Sequence, residues 1–562
     1  MAKRDRWLTL LVVLGLFLLP LALLWQQTLG GKTLIPADVL FSFQPWKAAA
    51  AQFEIAYPQN HLVADLVLEN YAWKRFIIES LKQGEIPLWN PYTFAGEPFL
   101  ANGQHSALYP FSLIFYALPL WQAYGWFTVS QLWLAGVWMY LLARVLGLRR
   151  ASAIIAAVTY QLSAFFVFSV VFTMVIAAAA WLPFILAMTE LVIRQHPALG
   201  GRPARAPWAV LGALGLGVAM LAGHPEMIYP YTLFVVGTFA AWRLAATWQR
   251  REAGNLRKVV PTLAWLAAMV GLGLALGAIQ FLPMAEVLLL NFRESGASLS
   301  QVLSWSYPWR RIIAFLIPNF FGNESHHAYV DVFSWRTLPA QVYGDGQYIW
   351  WGIKNSVEGA AYLGILPLVL AVLGVFTARR STHAPAESVT RREPGWRDWL
   401  RHPYVPFFSL LALFSLALVF KTGLYAVIYY LPGLGQLHTP FRWVFPYTLA
   451  VSVLAGFGAD FLAKTRGDAG GQDDTRSVPY ERRIKIVAWT LFWVETAVVA
   501  ALLLSRCAFP TLSLHLADAA VARLAKADTT FADGRMFYSY EFPWLLIFGL
   551  MLMATGIVVR VS

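Results

Sequence analysis

Runs of about 18 or more apolar residues recur along this chain, and the stretch from Val259 to Leu290 is almost unbroken. Each run is long enough to cross roughly 30 Å of hydrocarbon as a helix. In lipid every backbone N–H and C=O must find its partner within the protein, which leaves helices or a closed barrel. A barrel requires period-two alternation in strands of about ten residues, and near-continuous apolarity stands in its place. The chain therefore reads as all-α, a polytopic transmembrane helical bundle. Composition agrees: 58% of residues are hydrophobic and 13% charged, the latter about half the share of a soluble domain.

About twelve spans fit the pattern, at 7–25, 122–143, 152–169, 171–193, 207–222, 227–248, 259–288, 358–378, 404–421, 443–463, 486–505 and 543–561. With the N-terminus inside, basic clusters such as Arg144/Arg149/Arg150 and Arg250/Arg251/Arg257/Lys258 all fall on the cytoplasmic side. That distribution accounts for the net charge of +13, so no nucleic-acid partner is expected. It also requires that Tyr109–Leu120 and Leu424–Leu431, both short and beside proline, do not cross. No small-x-small cleavage site follows Leu24, so the first span is expected to stay uncleaved.

The expected organisation is a first span at 1–25, an extracytoplasmic loop with interfacial helices at 26–121, a bundle at 122–288, a second external loop at 289–357, and C-terminal helices and loops at 358–562. Both termini are cytoplasmic, and the protein is multi-pass in the plasma membrane. Ser381–Arg397 and Gly467–Ser477 read as solvated linkers. Cys507 is the only cysteine, which excludes an intrachain disulfide.

The 26–121 loop is long, acidic and aromatic, which suits chemistry at one membrane face. Asp38 lies about a dozen residues past the first span, within reach of a lipid head group. Asp65 and Glu69 stand at i and i+4 in a segment suited to an amphipathic helix, with Trp73 extending the same stripe. Carboxylates this close repel, so one of them can hold a raised pKa and act as a base. The plainer reading makes Asp38 a turn cap and the Asp65/Glu69 pair a solvated face. The following stretch contains Trp89, Asn90, Glu97, Gln104 and His105 among many Gly and Pro residues. It is either a pocket wall for sugar hydroxyls, with aromatic faces for stacking, or a compact structural loop.

The chain resembles the bacterial YfhO-like membrane proteins and, behind them, the GT-C superfamily of membrane glycosyltransferases. The resemblance is carried by Pro36-Ala37-Asp38, Asp65 ahead of Tyr71-Ala72-Trp73, and Ile86-Pro87-Leu88-Trp89-Asn90-Pro91. Gly96-Glu97-Pro98, Asn102-Gly103-Gln104 and Gly223-His224-Pro225-Glu226 continue it, as do Glu358 to Gly364 and Thr439-Pro440-Phe441-Arg442. It implies a GT-C-like fold and an extracytoplasmic glycosyltransferase of hexosyl type. The sugar would come from a polyprenyl-phosphate carrier, and the acceptor would be a cell-envelope glycan, polymer or protein, with membrane lipid as a further partner. The catalytic base implied is Asp38, with Asp65 the second acidic candidate. The Asp-x-Asp form of several GT-C enzymes is absent, since Val39 and Leu40 follow Asp38. No cofactor is therefore assigned, although a divalent metal remains compatible. Some YfhO-like chains are longer, so a further C-terminal part is compatible with the resemblance.

A leaving lipid phosphate calls for external cations. Arg442 is the first choice, ahead of Arg310, Arg311, Arg336 and Lys354; the plainer role of Arg442 is snorkelling at a span end. His224 and Glu226, in a very short turn between spans, either line a cavity or cap the turn; Gln280 and Glu286 read the same way. Glu324, His326, His327, Asp331 and Asp345 form a polar cluster without an established metal-ligand spacing. No nucleotide-binding motif is present. A transporter or flippase for lipid-linked glycans is the alternative, but paired halves are not evident.

Overall fold

The longest apolar run becomes the longest helix, Leu256–Leu288. The computed structural model describes residues 3–197, 201–250, 256–288, 290, 298–340, 348–353, 355–377, 399–400, 402–430, 439–468 and 478–561. Among them, eight helices are long and apolar enough to cross a membrane, and three shorter apolar ones accompany them at Ala206–Leu221, Ile365–Thr377 and Val405–Val419. Every predicted span contains helix, although in 358–378 it begins only at Ile365, and 227–248, a π-helical turn followed by Phe234–Arg250, belongs to neither group. The spans at 152–169 and 171–193 are each broken into pieces, at Arg150–Gln161 and Ala164–Phe168, and at Thr173–Ala179 and Leu182–Arg194. The expected linker Ser381–Arg397, residues 469–477 of the expected linker Gly467–Ser477, Lys354 and Asp345 lie outside the described residues, and Gly467 and Asp468 instead end the helix Val444–Asp468.

Small residues bring the helices together, as lipid-immersed packing requires. Ala206–Leu221 lies along Leu256–Leu288, where Gly217, Gly273 and Gly277 leave room for Leu276, Leu216 and Met220. Ile365–Thr377 crosses Val444–Asp468 with Gly374 against the Leu454 carbonyl. One charge inside the bundle is paired several times over. The fully buried Glu190 receives two hydrogen bonds from Arg243 at 2.8 and 2.9 Å, one from Arg194 at 2.6 Å and one from the Tyr404 hydroxyl at 2.7 Å.

Two segments depart from the expected plain loops. The 289–357 region contains a two-stranded antiparallel hairpin, Ala328–Asp331 paired with Arg336–Pro339. The 506–542 connection is largely helical, with Pro510–Arg523 followed by Gly534–Val561. These distant stretches share a small core of Phe321, Ile349, Trp351, Phe531, Met536 and Tyr540. Hydrophobic periodicity within either segment does not reveal this pairing, because the buried face of each is supplied by the other.

Candidate functional site

A polar cavity of ≈ 350 Å³ sits where the first loop meets the bundle, and its wall includes Asp65, Glu69, Gln104, His224, Glu226, Glu358 and Arg442. Each wall is fixed by its own local structure. Asp65 precedes, and Glu69 lies within, a π-helical turn, Leu66–Asn70, that leads into the helix Tyr71–Lys82. Such turns insert a residue into the helical register and are frequent at functional sites. Asn70 is buried and anchors the turn: its amide donates to Thr173 at 3.3 Å, and its oxygen accepts from the Tyr124 hydroxyl at 2.9 Å. A second π-helical turn, Met227–Leu233 with Pro230 inside it, follows directly on His224-Pro225-Glu226.

The two loops that carry Gln104 and His224 touch backbone to backbone. Gly103 and Gly223 both have positive φ, +74° and +82°, and a Cβ on Gly223 would collide with the Gly103 carbonyl. The Ser106 hydroxyl donates to the Ala222 carbonyl at 2.7 Å, and the Gln280 amide donates to the Leu100 carbonyl at 2.6 Å. The loop wall is thus sewn to the membrane helices.

Electrostatically the cavity is acidic with one cation. Arg442 forms an ion pair with Glu226 and lies 3.4 Å from His224 Nε2. Glu226 also accepts from the Thr439 hydroxyl at 3.2 Å. Burial, and then the adjacent guanidinium, push His224 well below its usual range, so it is neutral at pH 7. Its Nδ1 is buried without a hydrogen-bond partner among the described residues. Burial raises the Glu69 carboxyl, and the charges of Asp65 and Glu97 add to the rise. An apolar annex of ≈ 70 Å³ adjoins the cavity, with Phe165, Phe172, Met227, Phe441 and Val444 in its lining; Arg442 and Glu358 line both spaces.

Six of the expected site residues, Asp65, Glu69, Gln104, His224, Glu226 and Arg442, therefore come together. The others do not line the cavity. Asp38 accepts backbone N–H bonds from Val39 at 3.1 Å and Gln59 at 2.7 Å, which pins the loop. Asn90 pairs with Glu97 through backbone and side chain and closes a hairpin turn, with Trp89 packed over Gly96. His105 is fully buried and stacked on Phe99 at 4.2 Å. Its Nε2–H donates to the Phe99 carbonyl and its Nδ1 accepts from the Ala107 N–H. Burial pushes His105 down to about 3, so it is a neutral framework residue.

Glu358, Asn70 and Trp73 also line the cavity. Trp73 was already on the Asp65/Glu69 stripe; Glu358 gave no spacing signal, because the charged residues it meets in the cavity are far from it in the chain.

The polar cluster at 324–331 is partnered within the protein. His326 meets the Tyr540 hydroxyl at 2.7 Å, His327 meets the Gln59 carbonyl at 2.8 Å, and Asp331 is held by Arg535 at 2.7 Å. Among the described residues, no three His, Cys, Asp or Glu side chains gather closely enough to hold a metal ion.

No family model matches the chain, and no curated protein matches it. Among solved structures, one with a similar arrangement is the archaeal oligosaccharyltransferase AglB from Archaeoglobus fulgidus, in complex with an inhibitory peptide and a dolichol-phosphate. The likeness has 13% identity and a TM-score of 0.41, and covers 95% of this chain and 57% of that one. This chain thus spans little more than half the length of that protein.

Proposed function

We propose that the chain is a GT-C-like membrane glycosyltransferase of the extracytoplasmic face, moving a sugar from a polyprenyl-phosphate carrier to a cell-envelope acceptor. One observation carries the reading: carboxylates and a single guanidinium line one polar cavity, and that guanidinium also borders an apolar annex. The polar space matches a sugar, the annex matches the first carbons of a lipid, and Arg442 stands where a phosphate would join them. The volume is within the usual range of small-molecule sites.

In this reading an acceptor hydroxyl attacks the anomeric carbon and gives its proton to Glu69. The bond from the anomeric carbon to the phosphate oxygen breaks, and lipid phosphate leaves against Arg442. Glu69 takes the role of base in preference to Asp38, because it faces the cavity and its raised affinity for a proton suits a group that must accept one. Burial sets most of that affinity, and the negative charge of Asp65 adds to it. Glu226 holds Arg442 until the phosphate arrives.

The test is transfer of radiolabelled sugar from polyprenyl-phosphate in membranes, with expression of each variant checked. Glu69→Gln and Arg442→Ala should lose transfer, and a folded Asp38→Asn should retain it. Loss confined to Asp38→Asn would return the base to Asp38. A wild type that transfers nothing but moves lipid-linked sugar across the bilayer would replace the enzyme with a transporter.

A further inference from the structure

The Ile86–Phe94 stretch contains no charged residue and presents its apolar side chains to the outside. Phe94 is 93% exposed, Tyr92 83% and Ile86 70%, with Leu88 and Trp89 more than half exposed. A scattered exposed leucine needs no explanation, but five large apolar groups on one loop do. The tip is also held in shape. Phe94 and Ala95 both adopt positive φ, 51° and 63°, a conformation that L side chains rarely take.

The loop's own hydrogen bonds satisfy much of its backbone. Asn90 and Glu97 exchange N–H···O bonds of 2.9 Å in both directions, and Gly96 N–H donates to the Thr93 carbonyl at 2.8 Å. The Asn90 side chain accepts from Tyr92 N–H at 3.0 Å, and Pro87 and Pro91 have no N–H to satisfy. This pairing lowers the cost of bringing these backbone groups against lipid.

Its position identifies what covers it. Leu100 N–H donates to the Leu88 carbonyl at 3.3 Å, and the Leu100 carbonyl accepts from Gln280 at 2.6 Å. Gln280 belongs to the candidate span Val259–Val287. At a rise of about 1.5 Å per residue, it lies roughly 10 Å inside the end of that span. On the same stretch Ile279 and Leu282 point outward, exposed. The apolar loop is therefore tied, through Leu100, to a candidate membrane helix whose neighbouring Ile279 and Leu282 are exposed, beside the wall that carries Gln104 and His224.

We propose that Ile86–Phe94 is a membrane-inserted anchor, seated at the head-group and acyl boundary of the leaflet at the cavity end of the bundle. Aromatic side chains with a polar atom, such as Trp89 and Tyr92, favour that boundary. The role does not depend on the reaction proposed above.

The test uses the full chain with its cysteine removed (Cys507→Ser) and one new cysteine, Phe94→Cys or independently Tyr92→Cys, labelled with an environment-sensitive fluorophore in lipid nanodiscs. Leu272→Cys, in the middle of the exposed helix face, is the lipid-facing standard. Insertion predicts a blue-shifted emission, quenching by lipids spin-labelled near the top of the acyl chain, and at least a several-fold protection from aqueous iodide relative to free dye. Iodide-accessible, lipid-insensitive probes at both positions would overturn the proposal. So would protection that depends on a second copy in the same disc, which would assign the surface to self-association.

Discussion

Lys74→Met is expected to stabilise the protein near neutral pH and to abolish part of its pH dependence. Lys74 is fully buried. Its ammonium donates to the His105 carbonyl at 2.6 Å and sits 4.4 Å from the centre of the Phe115 ring. Burial lowers its pKa from 10.5 to about 7.

The unfolded chain therefore binds a proton that the folded chain has largely lost between those two values, so stability rises with pH across that window. The full span corresponds to about 5 kcal/mol, at 1.36 kcal/mol per pH unit. Nearly all of this penalty is present at pH 7, and about 3 kcal/mol of it is recovered by pH 9.5. Methionine fills a similar volume without a charge and loses one hydrogen bond, which costs about 1–3 kcal/mol at the carbonyl left behind. The variant should be the more stable by a few kcal/mol at pH 7, and the two proteins should converge or cross as pH approaches 9.5. Thermal unfolding in detergent from pH 7 to 9.5 reads both effects. A Lys74→Met protein that is less stable at pH 7 and keeps the wild-type slope would refute the reasoning, because the lysine would then be charged and compensated.

Three shorter predictions concern the cavity. Arg442→Ala should lower sugar transfer about 10²- to 10³-fold, the usual cost of removing a group that stabilises developing charge, with Arg442→Lys intermediate in the same assay. The acid limb of the rate profile should lie above the ordinary carboxylate range because Glu69 is raised. Asp65→Asn, which removes a neighbouring negative charge, should move that limb to lower pH in a stopped-time transfer assay. Gly223→Ala should cost at least about 1–3 kcal/mol from its positive φ alone, measured by thermal unfolding. Gly15→Ala, where the added methyl meets nothing within 4 Å, should be neutral or mildly stabilising.

Apolar run length made the helices legible, because in a membrane the helix satisfies the backbone within one segment, and each predicted span contains helix. The His224-Pro225-Glu226 turn and Arg442 were legible as cavity residues for a related reason: polar groups between or beside apolar spans have few places to go. Asp65 and Glu69 showed as a pair through helical spacing. The irregular loop was not legible in this way. Asn90, Glu97 and His105 look like binding groups in the sequence, yet each is used to hold the loop itself. Asp38 likewise pins a distant backbone N–H. Which polar residues face a cavity there depends on contacts such as Gly103 against Gly223, more than a hundred residues apart. The hairpin at Ala328–Pro339 and the core it shares with Phe531 and Tyr540 were hidden by the same separation.

The two π-helical turns are where the cavity wall tolerates a change in length. Each widens one turn, at Leu66–Asn70 and Met227–Leu233. Deleting one residue from such a turn lets it return to regular helical bonding, so the flanking helix escapes the rotation of about 100° that a deletion in a regular helix imposes. Removing the partly exposed Leu68 would leave Asp65 and Glu69 at i and i+3, still neighbours on one face, while narrowing the turn that holds Asn70 against Thr173 and Tyr124. Substitution changes the chemistry of the wall, whereas a one-residue deletion here changes its width.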